Sequence, residues 1–177
     1  MADIFLIQCL SAATKNFCIW YSDDKDGLFC NEDKKMLRFS DKDSALHYLS
    51  VKNLCLYEYD PDEEIVLYDF DKLKTWVNSD DSTVNCRETL NFWNIFTDIA
   101  YSTGRKFKGD KKFKDNKRER LTSLIYDKLF CGSNILKPKD EEDFIPIWDK
   151  KQIKMMKSVM KNGLNIFSKN ITRVSAV

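Results

Sequence analysis

Short apolar runs separated by polar turns fill the first third of the chain. Residues 3–10 and 17–21 are runs of strand length, and the Asp- and Gly-containing segment 22–27 suits a hairpin turn. Two shorter apolar runs follow at 28–30 and 36–39. Several short strands with tight turns predict an antiparallel sheet.

The spacing of apolar residues becomes helical after residue 40. Asp41, preceded by Ser40, is a suitable helix N-cap, and Asp43 places negative charge in the first turn. Ala45 and Leu49 then recur on one helical face. We therefore predict a helix that ends near residue 52.

An acidic loop at 60–64 interrupts the next part of the chain. Strands are predicted on both sides of it, at 54–59 and 65–70, and a short helix follows at 71–77. This segment does not match a calcium-binding loop, because Ile65 occupies the position at which such a loop needs glycine. A solvated turn or an acidic patch for a basic partner accounts for it more simply.

The second half of the chain has mainly helical spacing. Apolar residues cover more than one face of 88–101, so this helix is expected to be buried on most sides. Further helices are predicted around 121–129 and from about residues 148–149 onward, and 171–177 is expected to fray. Strands first and helices later predict an α+β fold, with one domain spanning 1–177.

The net charge of +1 conceals two halves of opposite sign. Residues 1–98 carry 19 acidic and 10 basic side chains, net −9, and residues 99–177 carry 9 acidic and 19 basic ones, net +10. The two halves can neutralise each other within one fold, or they can present two surfaces of opposite potential that steer partners.

Few residues are suited to catalysis or metal binding. The six cysteines include no C-x-x-C pair, and His47 is the single histidine, which disfavours a Cys/His zinc site. No glycine-rich phosphate-binding motif occurs. A metal-dependent nuclease is a minor alternative, because Pro61-Asp62 is not followed by the required [DE]-x-K on the next predicted strand. We therefore expect a protein that is not an enzyme, without cofactor or metal, whose cysteines are free thiols.

The basic segment 105–120 is the strongest local charge feature. It contains nine basic and three acidic residues, with Phe107 and Phe113 between them. Lysines can neutralise phosphates and phenylalanines can stack on unpaired bases, so a nucleic-acid-binding module is the alternative hypothesis. A solvated loop whose phenylalanines fold back onto the core explains the same residues.

Three blocks together resemble a known family. Residues 89–100 resemble an L-N-x-W-N-x-F-x-D-I-A helix, and residues 125–134 resemble a Y-D-K-L-F-x-G-x-N segment. The I-P-I-W block at 145–148, followed by a helix, is similar to the usual ending of the family. These blocks resemble bacterial immunity proteins of contact-dependent growth-inhibition and related polymorphic toxin systems, over about residues 36–167.

The resemblance implies a cytoplasmic protein that binds and neutralises a cognate toxin domain, often a nuclease, at the C-terminus of a secreted effector. Nucleic acid and membrane are not the expected partners. The N-terminus lacks the basic region of a signal peptide, in keeping with that location. Because a nuclease presents a basic groove to phosphates, charge alone suggests that the acidic first half supplies the toxin-binding face. The residues proposed for that face are Asp60, Asp62, Glu63, Glu64, Asp69, Asp80 and Asp81.

Overall fold

The computed structural model describes residues 2–58, 60–62, 64–110, 116–138 and 140–174, with the backbone alone at 116–119. It has the predicted α+β class, with strands toward the N-terminus and a mainly helical second half. The elements in chain order are β1 (Asp3–Ser11), β2 (Thr14–Ser22), β3 (Gly27–Leu28), β4 (Met36–Arg38), α1 (Lys42–Val51), β5 (Leu67–Asp69), α2 (Phe70–Asn78), α3 (Cys86–Ser102), α4 (Asn116–Gly132), α5 (Lys150–Lys169) and β6 (Ile171–Arg173).

The hairpin of β1 and β2 is the centre of the sheet. The two strands pair antiparallel from Asp3↔Ser22 to Ser11↔Thr14, and Ala12 and Ala13 form the two-residue turn with φ of 52° and 57°. Positive φ at both turn positions matches the right-handed twist of the strands. The Asp71 carboxylate accepts hydrogen bonds from the backbone N–H groups of both alanines, at 2.9 and 2.8 Å, and so ties the turn to the start of α2.

The alternation of side chains along the hairpin builds two cores. Cys9 and Cys18 point to the face covered by the helices and belong to the larger core. Leu6 and Ile19 point to the opposite face and pack with Ala45 of α1 in a smaller core. Because side chains alternate across a strand, one hairpin can cover both cores.

The sheet is mixed, whereas the sequence predicts an antiparallel one. Its strand order is β3-β2-β1-β5, and β5 runs parallel to β1. A second, two-stranded sheet pairs β4 with β6 in parallel, from Met36↔Ile171 to Arg38↔Arg173. The chain end at 171–173 is therefore paired rather than frayed, and 175–177 lies outside the described residues.

The segment predicted as a strand at 54–59 is irregular over its described part, 54–58. Asn53 and Glu58 have φ of 54° and 40°, in the left-handed region, and this breaks an extended run at both ends. Leu54 and Leu56 still pack against the smaller core. The helix predicted near residues 40–52 is confirmed: the Asp41 side chain accepts from the Ser44 N–H at 2.8 Å and caps α1.

Helix α3 occupies the middle of the larger core, as its apolar pattern predicts. Trp93 and Phe96 are 1% and 0% exposed and pack against α4 and α5. Phe107, from the segment after α3, is also 0% exposed, with its ring 6.2 Å from that of Trp93 and 5.8 Å from that of Phe96. Phe107 thus anchors the first part of the basic segment 105–120 to the core.

Candidate functional site

A cavity of about 240 Å³ opens at the edge of β1, beside the loop that precedes β5. Its lining combines apolar strand residues, aromatic rings and carboxylates, with no lysine or arginine among the described residues. The lining residues are Ile4, Phe5, Leu6, Ile7, Trp20, Leu56, Tyr57, Glu58, Asp60, Glu64, Ile65, Val66 and Tyr68. We call this cavity the acidic groove.

The pairing of β1 explains where the groove lies. The Tyr57 N–H donates to the Ile4 carbonyl at 2.8 Å, and the Gln8 N–H donates to the Val66 carbonyl at 2.9 Å. Between these two points the chain leaves the sheet and forms the acidic loop. Alternate strand residues direct their backbone groups to the same edge, so the N–H and C=O of Leu6 face the gap.

Aromatic rings form one wall of the groove. The Phe5 ring lies 5.3 Å from the Trp20 ring and 5.7 Å from the Tyr57 ring, and both pairs are tilted. Tyr57 is 46% exposed, while Phe5 and Trp20 are half-buried. Rings that are rigid and partly exposed bury much area on binding at little cost in conformational entropy, so they are suited to anchor a partner.

Carboxylates form the rim. Glu58, Asp60 and Glu64 are exposed and line the groove. Asp60 also accepts a hydrogen bond from the Asp62 N–H at 2.9 Å, which shapes the loop. A hydrogen bond with the Glu58 carboxylate raises the pKa of Tyr57, which places its hydroxyl beside the rim.

A second cavity, of about 640 Å³, shares the side chains of Trp20 and Tyr68 with the acidic groove. Three carboxylates line it, those of Asp26, Asp98 and Asp110, and no described lysine or arginine does. Carboxylates therefore lie on both sides of Trp20 and Tyr68, with no lysine or arginine among the described lining residues.

The pKa of the Asp98 carboxyl, in this second cavity, is raised. Burial raises its pKa to about 6, a hydrogen bond from Trp20 Nε1 to Oδ2 at 3.0 Å opposes the rise, and the charges of Asp26 and Asp110 add to it. A half-buried carboxylate that faces two others is costly to ionise. A cation placed in this cavity would reduce that cost.

The acidic loop predicted from sequence contributes two residues to the groove. Asp60 and Glu64 line it, whereas Asp62 is exposed on the same loop without lining it. Glu63 lies outside the described residues. Glu58 also lines the groove but was not singled out, because it falls within a segment predicted as a strand.

The other three predicted acidic residues lie elsewhere. Asp69 caps α2 by accepting from the Lys72 N–H at 2.9 Å. Asp80 and Asp81 belong to the connection between α2 and α3, where the Asp81 carboxylate accepts from the Thr83 N–H at 2.8 Å. None of the three lines the acidic groove.

The residues considered for metal binding, catalysis and base stacking lie apart from the acidic groove. Within the described residues, no three His, Cys, Asp or Glu side chains converge as a metal site would require. His47 is exposed on α1. The buried ring of Phe107 is not available to a nucleic-acid base, and Phe113 lies outside the described residues.

Comparisons with known proteins show a similarity in fold alone. No family model matches the chain, and no curated protein matches it. A crystal structure of the SatS C-terminal domain in complex with bromine is similar in fold, with a TM-score of 0.50 and 11% sequence identity, over 97% of this chain and 94% of that one. Among the described residues, no helix has the length and apolar character needed to cross a membrane.

Proposed function

We propose that this chain is an immunity protein, which binds a cognate toxin domain stoichiometrically and so neutralises it. The toxin would be the C-terminal domain of a contact-dependent growth-inhibition or related effector, most simply a nuclease, and the complex would form in the cytosol. The observation that carries the proposal is the acidic groove, in which partly exposed aromatic rings and three carboxylates lie beside the gap in the pairing of β1.

The chemistry of the groove suits a basic protein segment. A nuclease needs a positively charged surface to hold phosphates, and this same surface is attracted to Glu58, Asp60 and Glu64. Complementary potentials raise the association rate, while buried aromatic anchors slow dissociation. Both effects together allow an inhibitor to compete with nucleic acid.

An arginine or lysine side chain of the partner fits the groove particularly well. Its aliphatic stem can pack on Phe5 and Tyr57, while its charged head reaches the carboxylate rim. The backbone carbonyl of Leu6, which faces the gap at this edge, offers a further acceptor. A mixed apolar and acidic lining therefore selects a basic segment rather than a purely apolar one.

Charge reversal at the rim tests the proposal. The triple variant Glu58→Lys, Asp60→Lys and Glu64→Lys should reduce the association rate with the toxin domain encoded next to this chain by about 10- to 1,000-fold at low salt. The measurement is surface plasmon resonance at several salt concentrations.

A matched control separates a local effect from a change in total charge. Reversal of three exposed acidic residues in other turns, Asp24, Glu32 and Asp33, changes the net charge equally. We expect it to slow association far less. Equal losses in the two triple variants would contradict the assignment of the groove as the binding surface.

Truncation of the aromatic wall tests the anchor. Tyr57→Ala should raise the dissociation rate by about 30-fold, because truncating a tyrosine that anchors an interface as a hot spot costs about 2 kcal/mol or more. Tyr101→Ala removes a tyrosine of similar exposure, 51% against 46%, from the end of α3 and is the control. An unchanged dissociation rate of Tyr57→Ala would contradict the assignment of Tyr57 to the interface.

A further inference from the structure

Helix α5 carries six lysines and no acidic residue. Four of the lysines, Lys150, Lys154, Lys157 and Lys161, recur at spacings of 4, 3 and 4 and fall within about 60° of arc on one face of the helix. The buried residues of α5, such as Met156 and Val159, lie on the other side. Like charges three and four residues apart destabilise a helix, so this row is unfavourable for α5 itself.

The lysine row lines an open groove of about 920 Å³. The connection between α2 and α3 contributes Asp80, and the segment after α3 contributes Lys108. Five lysines therefore face a single carboxylate in this groove, which we call the lysine groove. Its other lining residues are Val77, Ser79, Ser82, Trp148, Ile153, Ser158, Asn162 and Asn165.

The lysines of this groove are mostly available to a ligand. Lys157 is held in place, because its ammonium donates to the carbonyls of Ser79 and Asp81, each at 2.7 Å, and lies 5.1 Å from the centre of the Trp76 ring. The ammonium groups of the other four lysines form no ion pair or hydrogen bond with the described residues. The sole carboxylate among the described residues lining the groove cannot neutralise them.

We propose that the lysine groove binds the phosphate backbone of single-stranded nucleic acid. The row from Lys150 to Lys161 spans about 16 Å at about 1.5 Å per residue, which is long enough for several successive phosphates of one strand to lie along it. Serine and asparagine side chains at the groove can donate hydrogen bonds to phosphate oxygens.

The lining favours nucleic acid over an acidic protein. Protein interfaces depend on apolar and aromatic anchors, and the apolar residues among the described lining are a buried Val77 and the half-buried Ile153 and Trp148. Lysines act on a phosphate chain as point charges and need no such anchor. The lysine groove shares no residue with the acidic groove, so this binding is separate from the proposed function and can hold if that function fails.

Fluorescence anisotropy with a labelled 12-mer of oligothymidylate tests the proposal. Four phosphate contacts predict that the logarithm of the association constant falls with the logarithm of salt concentration with a slope of about −3, at about −0.7 per contact on a single strand. The variant Lys150→Gln, Lys154→Gln and Lys161→Gln should bring the slope to about −1 and weaken binding at 20 mM salt by at least about tenfold.

The control changes three exposed lysines outside the groove, Lys15→Gln, Lys74→Gln and Lys151→Gln, with the same loss of charge. It should leave the slope almost unchanged. Equal effects of the two triple variants, or no binding at 20 mM salt, would overturn the proposal. Displacement of the oligonucleotide by polyglutamate as readily as by unlabelled oligothymidylate would also overturn it and indicate an acidic protein instead.

Discussion

Replacing Asp98 with asparagine should stabilise the protein at neutral pH. The Asp98 carboxyl is held at a pKa of about 6 by burial and by the charges of Asp26 and Asp110, against 3.8 for an ordinary aspartate. Asparagine has the same shape and no charge. Its side-chain oxygen can still accept the hydrogen bond that Trp20 Nε1 donates to Asp98 Oδ2 at 3.0 Å.

The size and sign of the effect follow from proton linkage. Between pH 3.8 and 6 the folded protein holds the Asp98 proton and the unfolded chain does not, so the contribution of this group to stability falls as the pH rises. Above pH 7, a difference of about two pKa units lowers the free energy of unfolding by at most about 3 kcal/mol. At pH 4 the same linkage leaves about 0.5 kcal/mol, because pH 4 lies only just above the pKa of 3.8 of the unfolded carboxyl.

Urea unfolding at pH 4.0 and pH 7.5 measures this difference directly. The Asp98→Asn variant should exceed the native protein in free energy of unfolding by about 2–3 kcal/mol at pH 7.5 and by about 0.5 kcal/mol at pH 4.0. Asp24→Asn, in an exposed turn, serves as a control that should show no such change with pH. A gain that is the same at both pH values, or a loss at pH 7.5, would refute the reasoning about Asp98.

Two further predictions concern the thiols and the contact between α3 and α5. In the native protein, Cys55 and Cys131 should react rapidly with a thiol reagent, because they are exposed, while the four buried or half-buried cysteines should react only after unfolding. Rapid reaction of more than two thiols would contradict the described burial. Gly163→Ala should lower the free energy of unfolding by about 1–3 kcal/mol, although alanine favours helices, because a Cβ atom there would lie 2.2 Å from the ring of Phe96. Thermal and urea unfolding measure this loss, and an unchanged or raised stability would show that α5 can shift away from α3.

Local patterns in the sequence were sufficient to predict most of the elements. Each of these signals depends only on residues that are close together in the sequence. They are the alternation along β1 and β2, the Asp41 cap, and the apolar faces of α3 and α5. The predicted helices α1 and α2 begin and end within a few residues of their observed limits. The α+β class followed from the order of these elements.

Long-range pairing could not be predicted in the same way. The parallel register of β5 on β1 joins Gln8 to Leu67, and that of β6 on β4 joins Met36 to Ile171. Such pairs depend on tertiary packing and leave no periodic signal in either segment. The positive φ at Asn53 and Glu58, which ends the predicted strand at 54–59, is likewise set by the surrounding contacts.

The candidate site was predicted only in part for the same reason. Asp60 and Glu64 stood out as members of an acidic run, but their association with Phe5 and Trp20 requires the folded sheet. The lysine row on α5 was present in the sequence as a helical spacing. Lys108 lies in the same groove as this row because Phe107 anchors the segment after α3 to the core.

Growth rescue measures the proposed function most directly. Bacteria that express the toxin domain encoded beside this chain are supplied with the native protein, with the variant Glu58→Lys, Asp60→Lys and Glu64→Lys, or with the variant Asp24→Lys, Glu32→Lys and Asp33→Lys. We predict that the native protein and the second variant restore growth and that the first variant does not, at equal levels of folded protein. Failure of the native protein to restore growth, or full rescue by the first variant, would contradict the account of a toxin inhibitor that acts through its acidic groove.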